Sequence, residues 1–122
     1  MQNVMRVNQT FYRWIRLGQN GVKIDTLIRA RGYINIAIYG FTDLARCLIY
    51  ELDKSDLNIS YIIDRQGENI PINISAYTLQ GVENKNVDAV ICCYLDDGDI
   101  RKELEKHFEC DIITIEELLY EL

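Results

Sequence analysis

The stretch that decides the fold is Ile34-Asn-Ile-Ala-Ile-Tyr-Gly40-Phe-Thr-Asp-Leu-Ala45, and a second apolar run, Ile59-Ser-Tyr-Ile-Ile63, follows it. The residues before Gly40 are β-branched and almost continuously apolar, which is typical of a buried strand. Apolar residues then recur at helical spacing through about Asp53. A strand, a tight turn, a helix and a second strand form a βαβ unit, which places its two strands parallel with a right-handed crossover.

The rest of the chain continues this alternation of helices and strands. The expected elements are helices at Val4–Leu17 and Ile24–Arg31, a third strand at Pro71–Ile74, a helical turn within Ala76–Gly81, a fourth strand at Val87–Tyr94, a helix ending near His107, a fifth strand at Asp111–Thr114 and a final helix at Ile115–Leu122. The alternation predicts an α/β fold, a Rossmann-like open parallel sheet of about five strands in the order 3-2-1-4-5 with helices on both faces. We divide the chain into a basic, amphipathic helical arm, residues 1–32, and a Rossmann-like domain, residues 33–122.

Length and composition limit the class of protein. A chain of 122 residues with 48% hydrophobic and 26% charged residues is typical of one soluble globular domain. The net charge of −6 argues against a nucleic-acid partner. This charge is unevenly distributed, because residues 1–32 carry six basic residues and one acidic residue, whereas residues 33–122 carry seven basic and 18 acidic ones.

The four cysteines and the single histidine predict neither a metal site nor catalysis. Cys47, Cys92, Cys93 and Cys110 do not follow a metal-binding spacing, and we expect free thiols in a reducing cytoplasm. His107 suits the end of a helix, where a cation stabilises the dipole. Asp96, Asp97 and Asp99 form an acidic turn that would begin a helix, although a divalent cation with a nucleotide is an alternative.

A candidate ligand site follows the first strand. In an open parallel sheet, ligands bind beyond the carboxyl ends of the strands, where the strand order reverses. The sequence Gly40-Phe41-Thr42-Asp43-Leu-Ala45 occupies the positions of a G-x-G-x-x-G/A phosphate-binding turn, and the amides of the following helix would offer an anion site. Asp64 ends the second strand, where a carboxylate accepts hydrogen bonds from ribose hydroxyls. Arg65 could meet a phosphate, and Tyr94, at the end of the fourth strand, could stack on a base.

Each of these residues also has a purely structural interpretation. Thr42 replaces the second glycine, and its side chain would crowd a diphosphate, while Asp43 would repel a second anion. Thr42 and Asp43 could instead cap the helix without any phosphate. Asp64 could form local turn hydrogen bonds, Arg65 could be solvated, and Tyr94 could pack at the end of its strand.

The residues of the βαβ unit, with Ile36-Ala-Ile-Tyr-Gly40 at the start and Ile59-Ser-Tyr-Ile-Ile-Asp64-Arg65 at the end, resemble a known group. They are similar to the small Rossmann-like nucleotide-binding domains of bacterial surface-polysaccharide biosynthesis, which accompany glycosyltransferases or begin sugar acyltransferases. The resemblance implies NAD(P) or a nucleotide-sugar as ligand at Gly40, Asp64 and their neighbours. That group commonly has glycine where this chain has Thr42.

These observations predict a nucleotide-binding module that is accessory to polysaccharide or glycosyl-transfer biosynthesis. We do not expect it to be catalytic on its own, because group transfer needs a second reactant held in place and no substrate domain remains. One alternative is a degenerate Rossmann module that docks a partner enzyme without nucleotide. Another is a fragment of a sugar-nucleotide-modifying enzyme.

The arm at residues 1–32 has three interpretations. It packs its Phe11, Trp14 and Ile15 face on the acidic body, it pairs with a second copy or a partner enzyme, or it lies on an anionic membrane surface. The sequence favours these in that order, and it leaves the membrane surface as the least favoured.

Overall fold

The protein is described by a computed structural model, in which residues 3–95 and 98–120 are placed. The helices are α1 Val4–Gln19, α2 Ile24–Ala30, α3 Asp43–Leu52, α4 Asp99–His107 and α5 Ile115–Tyr120. The strands are β1 Asn35–Tyr39, β2 Asn58–Ile63, β3 Ala76–Tyr77, β4 Ala89–Cys92 and β5 Asp111–Thr114. Short 3-10 turns lie at Gly67–Asn69 and Leu79–Gly81.

The five strands form one parallel sheet in the order β3-β2-β1-β4-β5. This confirms the predicted fold class and strand order. The order reverses between β1 and β4, since the chain first builds the sheet outward from β1 through β2 to β3 and then returns to the other side of β1. The carboxyl ends of β1, β2 and β4 therefore meet at one edge, which is where the predicted ligand residues lie.

Alternate residues of the strands enter two hydrophobic cores. Ile36 and Ile38 of β1 point to the face that is covered by α1, α2, α3 and α5. Ala37 points to the opposite face, where Leu104 of α4 and Phe108 pack. Helices therefore lie on both faces, as predicted, because a parallel sheet must bury both of its sides.

The first two helices belong to the larger core. Trp14 and Leu17 of α1 and Ile28 of α2 are buried together with the apolar side chains of α3 and α5. The Trp14 indole N–H donates to a Glu51 carboxylate oxygen at 3.1 Å, and Arg6 donates through Nε to Glu116 at 2.9 Å. The inner face of α1 thus packs on the acidic body through Phe11 and Trp14. Ile15, which the first interpretation placed on the same face, is instead 57% exposed, because it lies on the opposite side of the helix.

The third strand differs from the prediction. It comprises Ala76 and Tyr77, which pair with Ile62 and Ile63, and not Pro71–Ile74. Pro71 has no amide N–H to donate to a ladder, which disfavours a strand at that point. Ile72 and Ile74 pack against the core from an irregular segment, so their apolar character reflects burial and not strand formation.

Candidate functional site

The turn after β1 is built around Gly40. Its φ of +89° lies in the left-handed region, and its amide donates to the Ile63 carbonyl at 2.8 Å. A Cβ atom at this position would lie 3.1 Å from the Tyr94 Cβ and 3.4 Å from the Tyr94 amide nitrogen. Glycine is therefore required here both by the backbone conformation and by close packing. The expected tight turn is present, and it brings Gly40 and Tyr94 into contact.

Thr42 begins helix α3. Its hydroxyl accepts from the Ala45 amide at 3.3 Å and donates to the Cys93 carbonyl at 2.9 Å. The first bond is an N-cap, which satisfies one of the amides that a helix start leaves unpaired. The second bond crosses from the end of β1 to the end of β4, which is the point where the strand order reverses. The Thr42 side chain is thus folded into the protein and bridges this crevice.

Asp64 fastens the end of β2 to the turn after β1. One carboxylate oxygen accepts from the Phe41 amide at 2.9 Å, and the other accepts from the Gln66 amide at 3.0 Å. A carboxylate has about four acceptor positions, so each oxygen keeps one lone pair for a further donor. Asp64 is half-buried, and its remaining acceptor positions suit a ligand hydroxyl.

Asp43 lies exposed in the first turn of α3, where it pairs with Arg46 at 3.3 Å. The Arg46 guanidinium also stands over the Phe41 ring, 5.1 Å from its centroid. A cation therefore accompanies the carboxylate that was expected to repel a phosphate. Sequence reasoning missed Arg46, although its spacing of three from Asp43 on a helix was the available signal.

The remaining predicted residues are only partly brought together. Tyr94 is half-buried against Gly40, so its strand-end packing is present in the structure. Arg65 is exposed beside Asp64. Asp96 and Asp97 lie outside the described residues, and Asp99 is the first residue of α4. The partner that sequence reasoning could not find is the Cys93 carbonyl, because a backbone acceptor leaves no signal in residue types.

The other titratable groups offer no alternative centre in the described part of the chain. The four cysteines are free thiols, and burial raises the pKa of Cys93 well above its ordinary value, which disfavours a thiolate nucleophile. His107 lies 3.6 Å from Glu103, one turn earlier on α4. Residues 3–95 and 98–120 hold no group of three His, Cys, Asp or Glu side chains that could bind a metal ion. None of the helices in those ranges is both long and apolar enough to cross a bilayer.

The edge thus combines a helix start, a half-buried carboxylate and a nearby cation. Amides at a helix start favour anions, and the remaining lone pairs of Asp64 favour hydroxyl donors. The arrangement can hold a polyhydroxyl compound that carries a phosphate, and the residues described at this edge include no nucleophile paired with a base. Comparison of the chain with family models, with curated proteins and with solved structures found no match.

Proposed function

We propose that this protein is a binding module for a nucleotide-type ligand, NAD(P) or a nucleotide-sugar, held at the carboxyl edge of its sheet. The observation that carries the proposal is the position of Asp64. Its carboxylate is bonded to the Phe41 amide beside the first turn of α3 and keeps acceptor positions for ribose or sugar hydroxyls. A phosphate on the same ligand would meet the amides at the start of α3.

The ion pair between Asp43 and Arg46 reduces the electrostatic repulsion of a phosphate that the sequence predicts at this edge. The carboxylate is offset by a guanidinium within one helical turn. The residues in contact with ligand would be Gly40, Phe41, Thr42, Asp43, Asp64, Arg65 and Tyr94. The described part of this edge offers contacts for binding, so the proposal is for a binding module, and the resemblance described above suggests a role beside a glycosyl-transferring enzyme.

Thermal unfolding with a ligand panel tests the proposal. NAD, NADP, UDP, UDP-sugars and coenzyme A are each added in large excess. A ligand at about 100 times its Kd adds about 2.7 kcal/mol, which raises the Tm of a domain of this size by roughly ten degrees. We expect at least one compound to raise the Tm, and a flat response across the panel would overturn nucleotide binding.

Asp64→Asn and Asp88→Asn form a matched pair for this test. Both residues accept two backbone N–H bonds, but Asp88 does so at the opposite edge of the sheet. The quantity to compare is the ligand-induced rise in Tm, since either substitution changes the Tm of the free protein. Asp64→Asn should reduce the rise and Asp88→Asn should preserve it. An equal reduction in both variants would place the ligand elsewhere.

A second candidate is an interaction module that binds no nucleotide. The hydrogen bond from Thr42 to the Cys93 carbonyl favours it, because this bond spans the crevice that a diphosphate would enter. Thr42→Gly removes the bridge and restores the bare backbone. A nucleotide that raises the Tm of Thr42→Gly, but not that of the unaltered chain, would favour the interaction module. A rise of similar size in both would exclude steric blockage by Thr42.

A further inference from the structure

Exposed apolar side chains are concentrated around helix α1. Seven large hydrophobic residues in the described ranges are exposed, with exposed fractions between 52% and 83%. Six of them border two grooves that flank α1, namely Val4, Met5, Tyr12 and Tyr120 along a groove of about 810 Å³ and Ile15 and Tyr50 along one of about 830 Å³. The seventh, Ile34, lies at the start of β1, away from both grooves. We call the six residues the α1 surface.

Helix α1 carries large apolar side chains on two sides. Thr10, Trp14 and Leu17 face the core and are buried. A turn of 100° per residue places Val4, Met5, Tyr12 and Ile15 on the opposite side, within an arc of about 100° that also holds the polar side chains of Asn8 and Gln19. Phe11 and Trp14, by contrast, stack on each other and pack inward. None of the elements in residues 3–95 and 98–120 covers the outer side.

The charges beside the α1 surface are mostly positive. Helix α1 contains three arginines and no acidic residue. Arg13 stands over the Tyr120 ring at 5.3 Å and donates to the Leu119 carbonyl, and no described carboxylate forms a salt bridge with it. Arg16 donates to the neutral Gln19 side chain. Lys23 and Lys54 border the second groove, together with Asp25 and with Glu51, which bonds Trp14.

We propose that the α1 surface docks on an anionic lipid bilayer. The inference is independent of nucleotide binding, because the surface involves different residues and a different face of the molecule. Helix α1, about 24 Å long, would lie in the plane of the interface. Val4, Met5 and Ile15 would insert below the headgroups while Arg13, Arg16, Lys23 and Lys54 contact lipid phosphates. The phenols of Tyr12 and Tyr120 suit the headgroup level, where amphipathic rings concentrate.

The same charges argue against a second copy of the chain as the occupant of this surface. A second copy bound symmetrically through α1 would bring like charges together, since α1 carries no carboxylate to pair with Arg13 or Arg16. The apolar side chains also border two separate grooves and do not line one deep slot. A fluid bilayer adapts to such a surface without needing a preformed complement.

Vesicle flotation of the full chain tests the inference. We expect binding to vesicles of phosphatidylcholine with about 30% phosphatidylglycerol, little binding to phosphatidylcholine alone, and release as NaCl rises from 0.1 to 0.5 M. Ile15→Ser should weaken binding roughly tenfold, because it removes one inserted side chain. Ile34→Ser is the matched control, since it removes an equally exposed isoleucine from outside the α1 surface, and it should bind as the unaltered chain does.

Three outcomes would overturn the inference. The first is no flotation with either vesicle, and the second is equal loss of binding in Ile15→Ser and Ile34→Ser. The third is a concentration-dependent dimer, measured by light scattering, that Ile15→Ser dissociates, because this result would assign the surface to a second copy. Both serine variants replace exposed side chains, and an unchanged Tm in each would show that altered binding does not reflect unfolding.

Discussion

The two edges of the sheet use the same chemical devices around β1. At the amino edge, Gly32 precedes the strand with a φ of +86°, and Asp88 accepts from the amides of Ile34 and Asn35 at 2.8 Å each. At the carboxyl edge, Gly40 follows the strand with a φ of +89°, and Asp64 likewise accepts two backbone amides.

The edges differ in how closely these devices are packed. A Cβ on Gly32 would meet nothing within 4 Å, whereas one on Gly40 would press on Tyr94. Asp88 is exposed and Asp64 is half-buried. A glycine turn or a backbone-bonded aspartate therefore does not by itself mark a ligand site. What distinguishes the carboxyl edge is that three strand ends and a helix start converge there.

The variants Gly40→Ala and Gly32→Ala test the difference in packing between the two edges. We expect them to differ more in stability than any other pair proposed here. Both alanines adopt a left-handed backbone, but only the one at position 40 also collides with a neighbour. We expect Gly40→Ala to lower the free energy of unfolding by about 3 kcal/mol and Gly32→Ala by about 1 kcal/mol. Urea denaturation of both variants measures the difference. Equal losses would show that the contact with Tyr94 contributes nothing beyond backbone strain.

The stability losses of Asp64→Ala and Asp88→Ala, compared with each other, test how much the burial of a backbone-bonded aspartate contributes. Loss of Asp64 leaves the Phe41 amide unpaired in a partly buried turn, which should cost about 2 kcal/mol. The amides freed by loss of Asp88 are exposed and can bind water, so we expect a loss below about 1 kcal/mol. Urea denaturation at pH 7 measures both losses. A larger loss in Asp88→Ala would reverse the ranking of the two edges.

The contribution of Asp88 should also depend on pH. The amides of Asn35 and Ile34 lower the pKa of Asp88 below its ordinary value of 3.8. The folded state therefore favours the carboxylate, and this stabilisation is present above pH 3.8 and is lost as the pH falls through the lowered pKa. The difference between the unaltered chain and Asp88→Asn should shrink in that range, and a difference that grows on acidification would contradict the assignment.

Much of the fold could be predicted because it is recorded in residue patterns. The apolar runs before Gly40 and Asp64 and the helical spacing between them fix the βαβ unit, and a parallel sheet follows from short alternating elements. The third strand could not be placed, since a two-residue ladder at Ala76–Tyr77 carries no period to detect. Ile72 and Ile74, which suggested a strand, are apolar because they pack against the core from an irregular segment.

The site could be predicted as a location but not as a set of contacts. Because ligands bind where strand order reverses, the order of the elements along the chain is enough to group Gly40, Asp64 and Tyr94 at one edge. The inward hydrogen bond of Thr42 depends on the Cys93 carbonyl, and the pairing of Asp43 depends on which way Arg46 turns. Such contacts are decided by tertiary packing, which residue types at fixed spacing do not encode.

The smallest effect concerns two tyrosines that are alike in pKa and unlike in partners. At the amino edge the Tyr33 hydroxyl donates to Asp111 at 2.6 Å, whereas the Tyr61 hydroxyl, on one face of the sheet, has no partner among the described residues. Burial and Asp111 raise the pKa of Tyr33 to about 12, and burial with nearby Cys110 and Tyr77 raises that of Tyr61 to about 12. At pH 8, Tyr33→Phe should cost about 1 kcal/mol and Tyr61→Phe nothing, because only the first loses a hydrogen bond.

Measurements at alkaline pH test whether Tyr33 and Tyr61 differ only in their hydrogen-bond partner or also in their burial. A raised pKa means that the folded state favours the neutral phenol, so its stabilisation is complete below pH 10 and is lost between pH 10 and about 12. Either phenylalanine variant should therefore lose less stability than the unaltered chain when urea denaturation is repeated at pH 11. If the stability of Tyr61→Phe falls between pH 8 and pH 11 as much as that of the unaltered chain, the Tyr61 phenol ionises as freely in the folded state as in the unfolded one. The sheet face around it would then be open to water, unlike the amino edge.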